Sequence, residues 1–434
     1  MNYFGLWVGL ARVRVRTAHT LLLSLLLLLS GLSYGQHREA VLTLDDAIHK
    51  TMQNNPRLQM YEVRMRGLKG VRESAALTPA YELGAEVENF AGEGEIQGLR
   101  GSEQTVSLSS VIELGGKRSA RVALVDARTG LLDARRRAEA LDLLGEVTHG
   151  FVAALAAQER LNLEKDALVL ARATLEAVEK RARAGVAPNA EVLRAKAALA
   201  KTKITLSRMQ RVFEIEKTHL TSLWGAIETD FEELQGDLFQ FPPADDFASL
   251  YDRAKGNAAL AVFASETRLK EARIRLSQTR AKSDISWSLG VRRMEGSGDT
   301  GLVAGVSMPL FADRRSSGEI RAAQAERDQV TFRRKEALFN LHAQLFEAYQ
   351  NRQQGVEVSA VLKEEVIPTL NRALRETRGA YERGRYSYLD LIAAQEELLA
   401  ARRRMIDSAA SVLQYGALIE QMTAEPLSTS RLSR

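Results

Sequence analysis

The chain has 434 residues, with 60 basic and 55 acidic side chains, 8 prolines and no cysteine. That length permits two or three ordinary domains, but scarce proline with long stretches rich in Ala, Leu, Glu, Arg and Gln is the composition of long helices. The absence of cysteine excludes a disulfide framework and a lipid anchor on an N-terminal cysteine, so an exported form must be held by packing or assembly.

The first 35 residues read as a cleaved secretory signal: Arg12, Arg14 and Arg16 form the basic region, Leu21 to Leu29 the apolar core, and Ser33 and Gly35 the small residues near the cut. Removing them takes three arginines and no acid, which leaves a mature balance of +2 and no case for a nucleic-acid partner. No later segment reaches 18 consecutive apolar residues, so the sequence excludes a transmembrane helix and leaves a β-barrel as the route to a membrane role.

From Thr43, which can cap a helix over Asp45 and Asp46, the spacing predicts one helix to Asn54-Asn55 and a second from Pro56 to about Leu77. The period then changes to two. Tyr81, Leu83, Ala85 and Val87 alternate with Glu82, Glu86 and Glu88, and Val106, Leu108, Ile112 and Leu114 repeat the pattern after a glycine-rich loop. These predict strands over about 81–90 and 104–114. From Lys117 to Arg183 there is no proline, so a helix of about 100 Å is expected. It turns at 184–189 and returns to about Trp224.

The second half replays this order. A helix starts at Asp245-Asp246, breaks at Asn257 and runs to about Lys282. Strands follow over about 284–293 and 301–311, then a long helix with a kink expected at Pro368, a turn at 384–388 and a last helix to about Met422. Both turns carry a glycine followed six residues later by an acid: Gly185 with Glu191, Gly384 with Asp390. Beyond them, Val192, Leu199, Leu206, Phe213 and Leu220 recur, 199 positions on, as Leu391, Leu398, Met405, Val412 and Ile419. Apolar residues sustained at sevens mark a seam against neighbouring helices. The chain is therefore two tandem repeats, 43–240 and 245–425, each a helix pair, a strand pair and a long helical hairpin.

Four strands cannot close a membrane barrel. Three copies would give twelve antiparallel strands, continued by a helical tube. On that reading Leu83, Ala85, Val87, Ile285, Trp287, Leu289 and Val291 face lipid, Glu82, Glu86, Glu88 and Arg292 face a polar lumen, and Tyr81 and Trp287 sit at the interfacial belt.

This order resembles the TolC-like family of trimeric outer-membrane efflux channels, and the run Ile112-Glu113-Leu114-Gly115-Gly116-Lys117-Arg118 resembles its heavy-metal, CzcC-like branch. Further matches are Leu44-Asp45-Asp46-Ala47 with Asn55-Pro56, Met308-Pro309-Leu310-Phe311, and Tyr381-Glu382-Arg383-Gly384 leading into Tyr388-Leu389-Asp390-Leu391 and Ala394-Gln395. The resemblance implies a mainly α fold with a small β contribution: a homotrimer with a twelve-stranded outer-membrane barrel and a periplasmic coiled-coil tunnel. It implies a periplasmic adaptor and a proton-driven inner-membrane pump of the resistance-nodulation-division class as partners, and a passive channel exporting heavy-metal cations.

The resemblance also assigns residues. Asp390 falls at the constriction of the periplasmic tip, where three copies would form a ring that favours cations and whose mutual repulsion would raise their pKa. Family members carry a second acid three residues on; here that position is Ala393. Glu191 and Tyr381 match an acid–tyrosine link that holds the tip closed. The family's basic partner falls at Tyr386, one residue from Arg385. The turns at Gly185 and Gly384 are the expected adaptor-docking points.

Read without the family, Asp390 is an acid favouring the first turn of a helix. The six histidines lack ligand spacing and the methionines do not cluster, so no metal site, cofactor or catalytic group is expected. The rival readings are a channel for organic toxins or for type I protein secretion, a non-pore exported coiled-coil scaffold, and the adaptor itself.

Overall fold

The computed structural model describes residues 39–94, 98–243, 245–310 and 312–423. The expected signal segment, Phe311 and the last residues of the second repeat lie outside them. Two compact units are present. In the small one β1 (Glu39–Leu42) pairs with β4 (Phe231–Leu234) in a two-stranded sheet that the sequence reading did not anticipate.

The large unit begins with α1 (Leu44–Asn54) and α2 (Pro56–Ala75), followed by β2 (Glu82–Glu88) and β3 (Glu103–Ile112). The first hairpin is α3 (Lys117–Arg183) and α4 (Asn189–Ser222). Then come α5 (Phe247–Ala254), α6 (Ala258–Arg280), β5 (Ile285–Met294) and β6 (Thr300–Ser307). The second hairpin is α7 (Ala312–Val361), a π-helical turn (Leu362–Val366), α8 (Ile367–Glu382) and α9 (Tyr388–Thr423). β6 stops at Ser307, short of the expected 311, ahead of Pro309, which has no N–H to give to a ladder. The kink expected at Pro368 is instead the π-helical turn just before it, one way a helix absorbs a missing donor.

A pair of asparagines plays a similar part at the start of each half. The Asn55 side-chain oxygen accepts from Arg57 N (2.8 Å) and its Nδ2 donates to Leu223 O (2.7 Å). Asn257 does the same in the second half: its oxygen accepts from Ala259 N (2.7 Å) and its Nδ2 donates to Gln421 O and Met422 O (2.9 and 2.8 Å). Each buried amide caps the helix that climbs to the strands and satisfies carbonyls at the end of the returning helix.

The strands form one antiparallel sheet in the order β2-β3-β5-β6, so the two halves join through β3 and β5, and among the described residues the outer edges of β2 and β6 have no partner strand. The register puts Leu83, Leu108, Leu289 and Ala304 in one row and Ala85, Val106, Val291 and Leu302 in the next, on the same face. Leu83, Leu302 and Val306 there are 79, 82 and 77% exposed. Tyr81 and Trp287 meet edge to face, 6.3 Å between centroids. The other face is mostly small or charged, with Val111, Met294 and Val303 as its larger apolar members. Gly84, Ser107 and Gly290 share a row, and a Cβ on Gly290 would lie 2.7 Å from Val106 O.

The Ile112–Arg118 run is the elbow from strand to helix. Gly115 and Gly116 both have φ near +78°, and a Cβ at Gly115 would lie 2.4 Å from Lys282 Cδ. Asp284 accepts from Leu114 N (3.0 Å) and Lys117 Nζ (2.6 Å), while Arg121 pairs with Glu113 and donates to Leu77 O (3.1 Å). Glu113, Leu114, Gly115, Gly116 and Lys117 of the motif are thereby engaged in fixing the bend.

The helices beside the sheet keep its order: α2 packs on α3, α3 on α6, and α6 on α7. Contrary to the sequence exclusion, one stretch of α3 is apolar and long enough by composition to cross a membrane, but 56% of it is buried inside the protein. It includes Phe151 and Leu155 and is the core of the helical layer.

Replacing Asn55 or Asn257 by Ala is expected to cost about 2 kcal/mol each, one cap and one buried hydrogen bond. Guanidinium unfolding in detergent checks this, and equal losses at the two sites are the outcome the repeat demands.

Candidate functional site

The two hairpin turns are built alike. Gly185 (φ +74°) donates to Ala182 O at 3.0 Å and Val186 N to Arg181 O at 3.1 Å. Gly384 (φ +78°) donates to Tyr381 O and Arg385 N to Ala380 O, both at 2.9 Å. These paired bonds close a helix end through a left-handed residue, a conformation that favours glycine. A Cβ at Gly185 would meet nothing within 4 Å, so there the backbone angle alone selects the residue.

After the turns the halves diverge. Asp390 lies in the first turn of α9, where its Oδ2 accepts from Ser387 N (2.9 Å) and Ser387 Oγ (2.7 Å), while Asp390 N donates to Ser387 Oγ (3.2 Å). This is a reciprocal cap, and the two Ser387 hydrogen bonds hold the carboxyl below its ordinary pKa. In the single chain that direction is opposite to the one expected of a crowded acidic ring.

Glu191 holds the equivalent place in the first half, but the position matching Ser387 is Pro188, which has no side-chain hydroxyl. Its carboxylate reaches the other hairpin and accepts from the Tyr381 phenol at 3.0 Å. Tyr381 is fully buried among Val178, Val192, Ala195, Tyr388 and Leu391, contributed by both hairpins. Burial first, and the Glu191 hydrogen bond second, push its pKa up to about 12, so the phenol remains a donor at physiological pH.

The basic member of this cluster is Arg181, not the expected Arg385. Its guanidinium lies 4.2 Å from the centre of the Tyr381 ring, and it donates to Tyr381 O (2.6 Å) and Val186 O (3.3 Å). Its counterpart 199 residues on is Ala380, so a search for repeated features passes over it. The detectable signal is a cation in the last turn of a helix, where it satisfies terminal carbonyls.

Above this cluster Gln395 donates to Thr174 Oγ1 at 2.6 Å, both residues being buried. Arg403 with Glu164 (3.2 Å) and Arg160 with Asp407 (2.7 Å) continue the join between α3 and α9.

On the small, charged face of the sheet, Arg292 pairs with Glu88 (3.0 Å) and Glu103 (2.7 Å) and donates to Thr105 (3.0 Å). Glu82 and Glu86 share that face by register. Glu103 is a partner that the alternation argument left out. Among the described residues no group of three or more His, Cys, Asp or Glu side chains could hold a metal ion.

Residues 47–226 match the sequence model of the outer membrane efflux protein family. The chain is similar to the cobalt-zinc-cadmium resistance protein CzcC of Cupriavidus metallidurans, with 26% identity over 387 residues, covering 89% of this chain and 91% of that protein. It is also similar to the nickel and cobalt resistance protein CnrC of that organism, with 26% identity over 281 residues, 63% of this chain and 65% of the relative. Among solved structures it shares its fold with the outer membrane protein VceC of Vibrio cholerae (TM-score 0.70, 18% identity, 88% of this chain and 96% of that one). CusC gives a TM-score of 0.70 at 15% identity, covering 88% of this chain and 90% of that one.

Substituting Ala at Gly185 or Gly384 is expected to cost about 1–2 kcal/mol, the penalty for a side chain in left-handed backbone. Hydrogen exchange should register it as faster exchange confined to the turn and the adjoining ends of the two helices.

Proposed function

We propose that this chain, whose residues 47–226 match the outer membrane efflux protein family and which is similar along most of its length to CzcC, is a member of that family and the passive exit duct of a tripartite system exporting heavy-metal cations. The observation that carries the duct is the sheet. A continuous, exposed apolar face over four strands, small and charged groups on the opposite face, and two unpaired edges are what one third of a closed membrane barrel requires. Three copies would close twelve strands.

The cargo rests on relatives whose names specify resistance to cobalt, zinc and cadmium, or to nickel and cobalt. A duct has no need of a resident metal site. The protein is not an enzyme on this reading, and the energy comes from an inner-membrane pump reached through a periplasmic adaptor. Residues 1–35 act as the export signal, and 43–240 and 245–425 are the two efflux repeats.

The hairpin turns form the periplasmic tip, with Gly185 and Gly384 at the points offered to the adaptor and Asp390 at the constriction. Glu191 and Tyr381 form the closed-state link, with Arg181 in the basic role expected of Arg385. An exposed pair would contribute about 0–1 kcal/mol. A buried phenol donating to a carboxylate contributes about 1.5–3 kcal/mol, strong enough to keep the tip shut and weak enough for a docked adaptor to reverse. Glu82, Glu86, Glu88 and Arg292 line the lumen of the barrel.

Single-channel recording in planar bilayers tests this. The wild type should pass small cation-selective currents, and Asp390→Ala should remove the selectivity. Asp390 also sets a pH signature. A lowered folded pKa means that the cap is present above the unfolded value of 3.8 and is lost as pH falls below it. If three copies crowd, selectivity should instead disappear at a pH above 3.8, and the pH midpoint decides between cap and ring. Tyr381→Phe keeps the packing and deletes the link, so the open fraction should rise about tenfold or more. A strain lacking the gene that loses resistance to organic toxins and keeps it to cobalt, zinc and cadmium would overturn the cargo and leave the duct.

A further inference from the structure

The row of helices α2-α3-α6-α7 has two ends, as the sheet above it has two edges. At 100° per residue, a side chain nine positions on points about 180° away. On α7, Ala323 and Val330 are buried on the side of α6, to which Arg333–Glu266 and Glu326–Lys270 ion pairs also reach. Nine residues beyond them stand Phe332 and Phe339, 68 and 75% exposed on the opposite side. On α2, Tyr61 is buried and Leu58 half-buried toward α3, and nine residues beyond these stand Gly70 and Gly67. A Cβ at either glycine would meet nothing within 4 Å. One end of the row carries exposed aromatic rings, Phe332 with Lys335 Nζ 5.7 Å from its ring centre, and the other carries two glycines with open space beside them, flanked by exposed Met60, Val63 and Val71.

The two faces also lie at matching heights. Arg72 of α2 pairs with Asp126 of α3. Leu124 and Arg128, on either side of Asp126, share a cavity with Lys270 and Arg273 of α6, and both of those cations pair with Glu326 of α7. Arg72 and Glu326 are therefore level. α2 runs toward the sheet and α7 away from it, with the same rise per residue. Five residues from that level lie Gly67 on α2 and position 331 on α7; twelve residues from it lie Met60 and position 338. Within one residue, Phe332 is level with Gly67 and Phe339 with Met60. A rotation about an axis along the helices involves no rise, so the match holds between copies.

We propose that Phe332 and Phe339 of one copy seat as knobs in the Met60–Gly67–Gly70 face of α2 of the next copy, closing the helical layer as β6 on β2 closes the sheet. This rests on the oligomeric reading above and assigns the residues that set its register. Knobs spaced by seven entering holes on the facing helix are the geometry of coiled-coil seams.

The absence of cysteine supplies the test. The double variants G67C/F332C and M60C/F339C, in outer membranes, are treated with a short thiol–thiol cross-linker and resolved by denaturing electrophoresis. Both matched pairs should give dimer- and trimer-sized products, at least tenfold above the mismatched pair G67C/F339C, whose sites differ in height by about 10 Å. Equal yields from matched and mismatched pairs overturn the seam. So does a product at monomer mobility with both thiols consumed, since the faces would then meet within one copy. If no product forms, the mass of the solubilised particle separates the two ideas: a trimer overturns the seam and leaves the channel, and a monomer overturns both.

Discussion

A backbone N–H or C=O at membrane depth has no water to turn to, and a four-stranded sheet leaves a row of each unpaired at both edges. The rest of the molecule follows from that constraint. On the proposed assembly the sheet is complete only in company, and the helices that feed it then leave matching faces at the ends of their own row. The bends between strand and helix must be stiff, because a tilt at the elbow would change the angle at which one edge meets the next. Hence the consecutive left-handed glycines at 115 and 116, and the ion pairs of Asp284 and Arg121 around them. The run that most resembles the heavy-metal branch is thus engaged in geometry rather than in holding a metal.

The two turns carry acids at matching places, and one neighbouring residue separates their roles. Where Ser387 offers a hydroxyl, Asp390 turns back on its own helix end. Where Pro188 cannot, Glu191 is available to Tyr381 across the interface between hairpins. The first turn therefore ties the hairpins together while the second is internally satisfied. The resulting tip is asymmetric within each copy even though its backbone turns are nearly superimposable in hydrogen bonding.

The order of elements and the position of both turns were legible because they rest on local signals: period two against period seven, glycine at positive φ, proline at helix starts. The asparagines at 55 and 257 were legible as breaks but not as long-range staples, since their partners lie more than 160 residues away. The small β1–β4 sheet was missed for the same reason: four-residue strands carry too little alternation to register. Arg181 escaped because it has no repeat counterpart, and Glu103 because it belongs to the charged face of a strand whose apolar face drew the attention. Tyr381 and Glu191 were reached through resemblance, while their burial and contact are properties of packing that no spacing encodes.

The π-helical turn at 362–366 acts on phase. Leu345, Arg352 and Ser359 are buried at intervals of seven along α7. Continued without interruption, that count would reach 366, 373 and 380. The seam instead resumes one place later, at Ile367, Leu374 and Tyr381, because a π-turn takes up one more residue than an α-turn. A single residue of slack has rotated everything below it by about 100°. The aim of the Tyr381 phenol at Glu191 is thereby set fifteen residues upstream: the same helix wound regularly with no residue removed would present Tyr381 to a different neighbour, whereas deleting one residue there would remove the turn and keep the aim, every residue of the tip being unchanged in both cases.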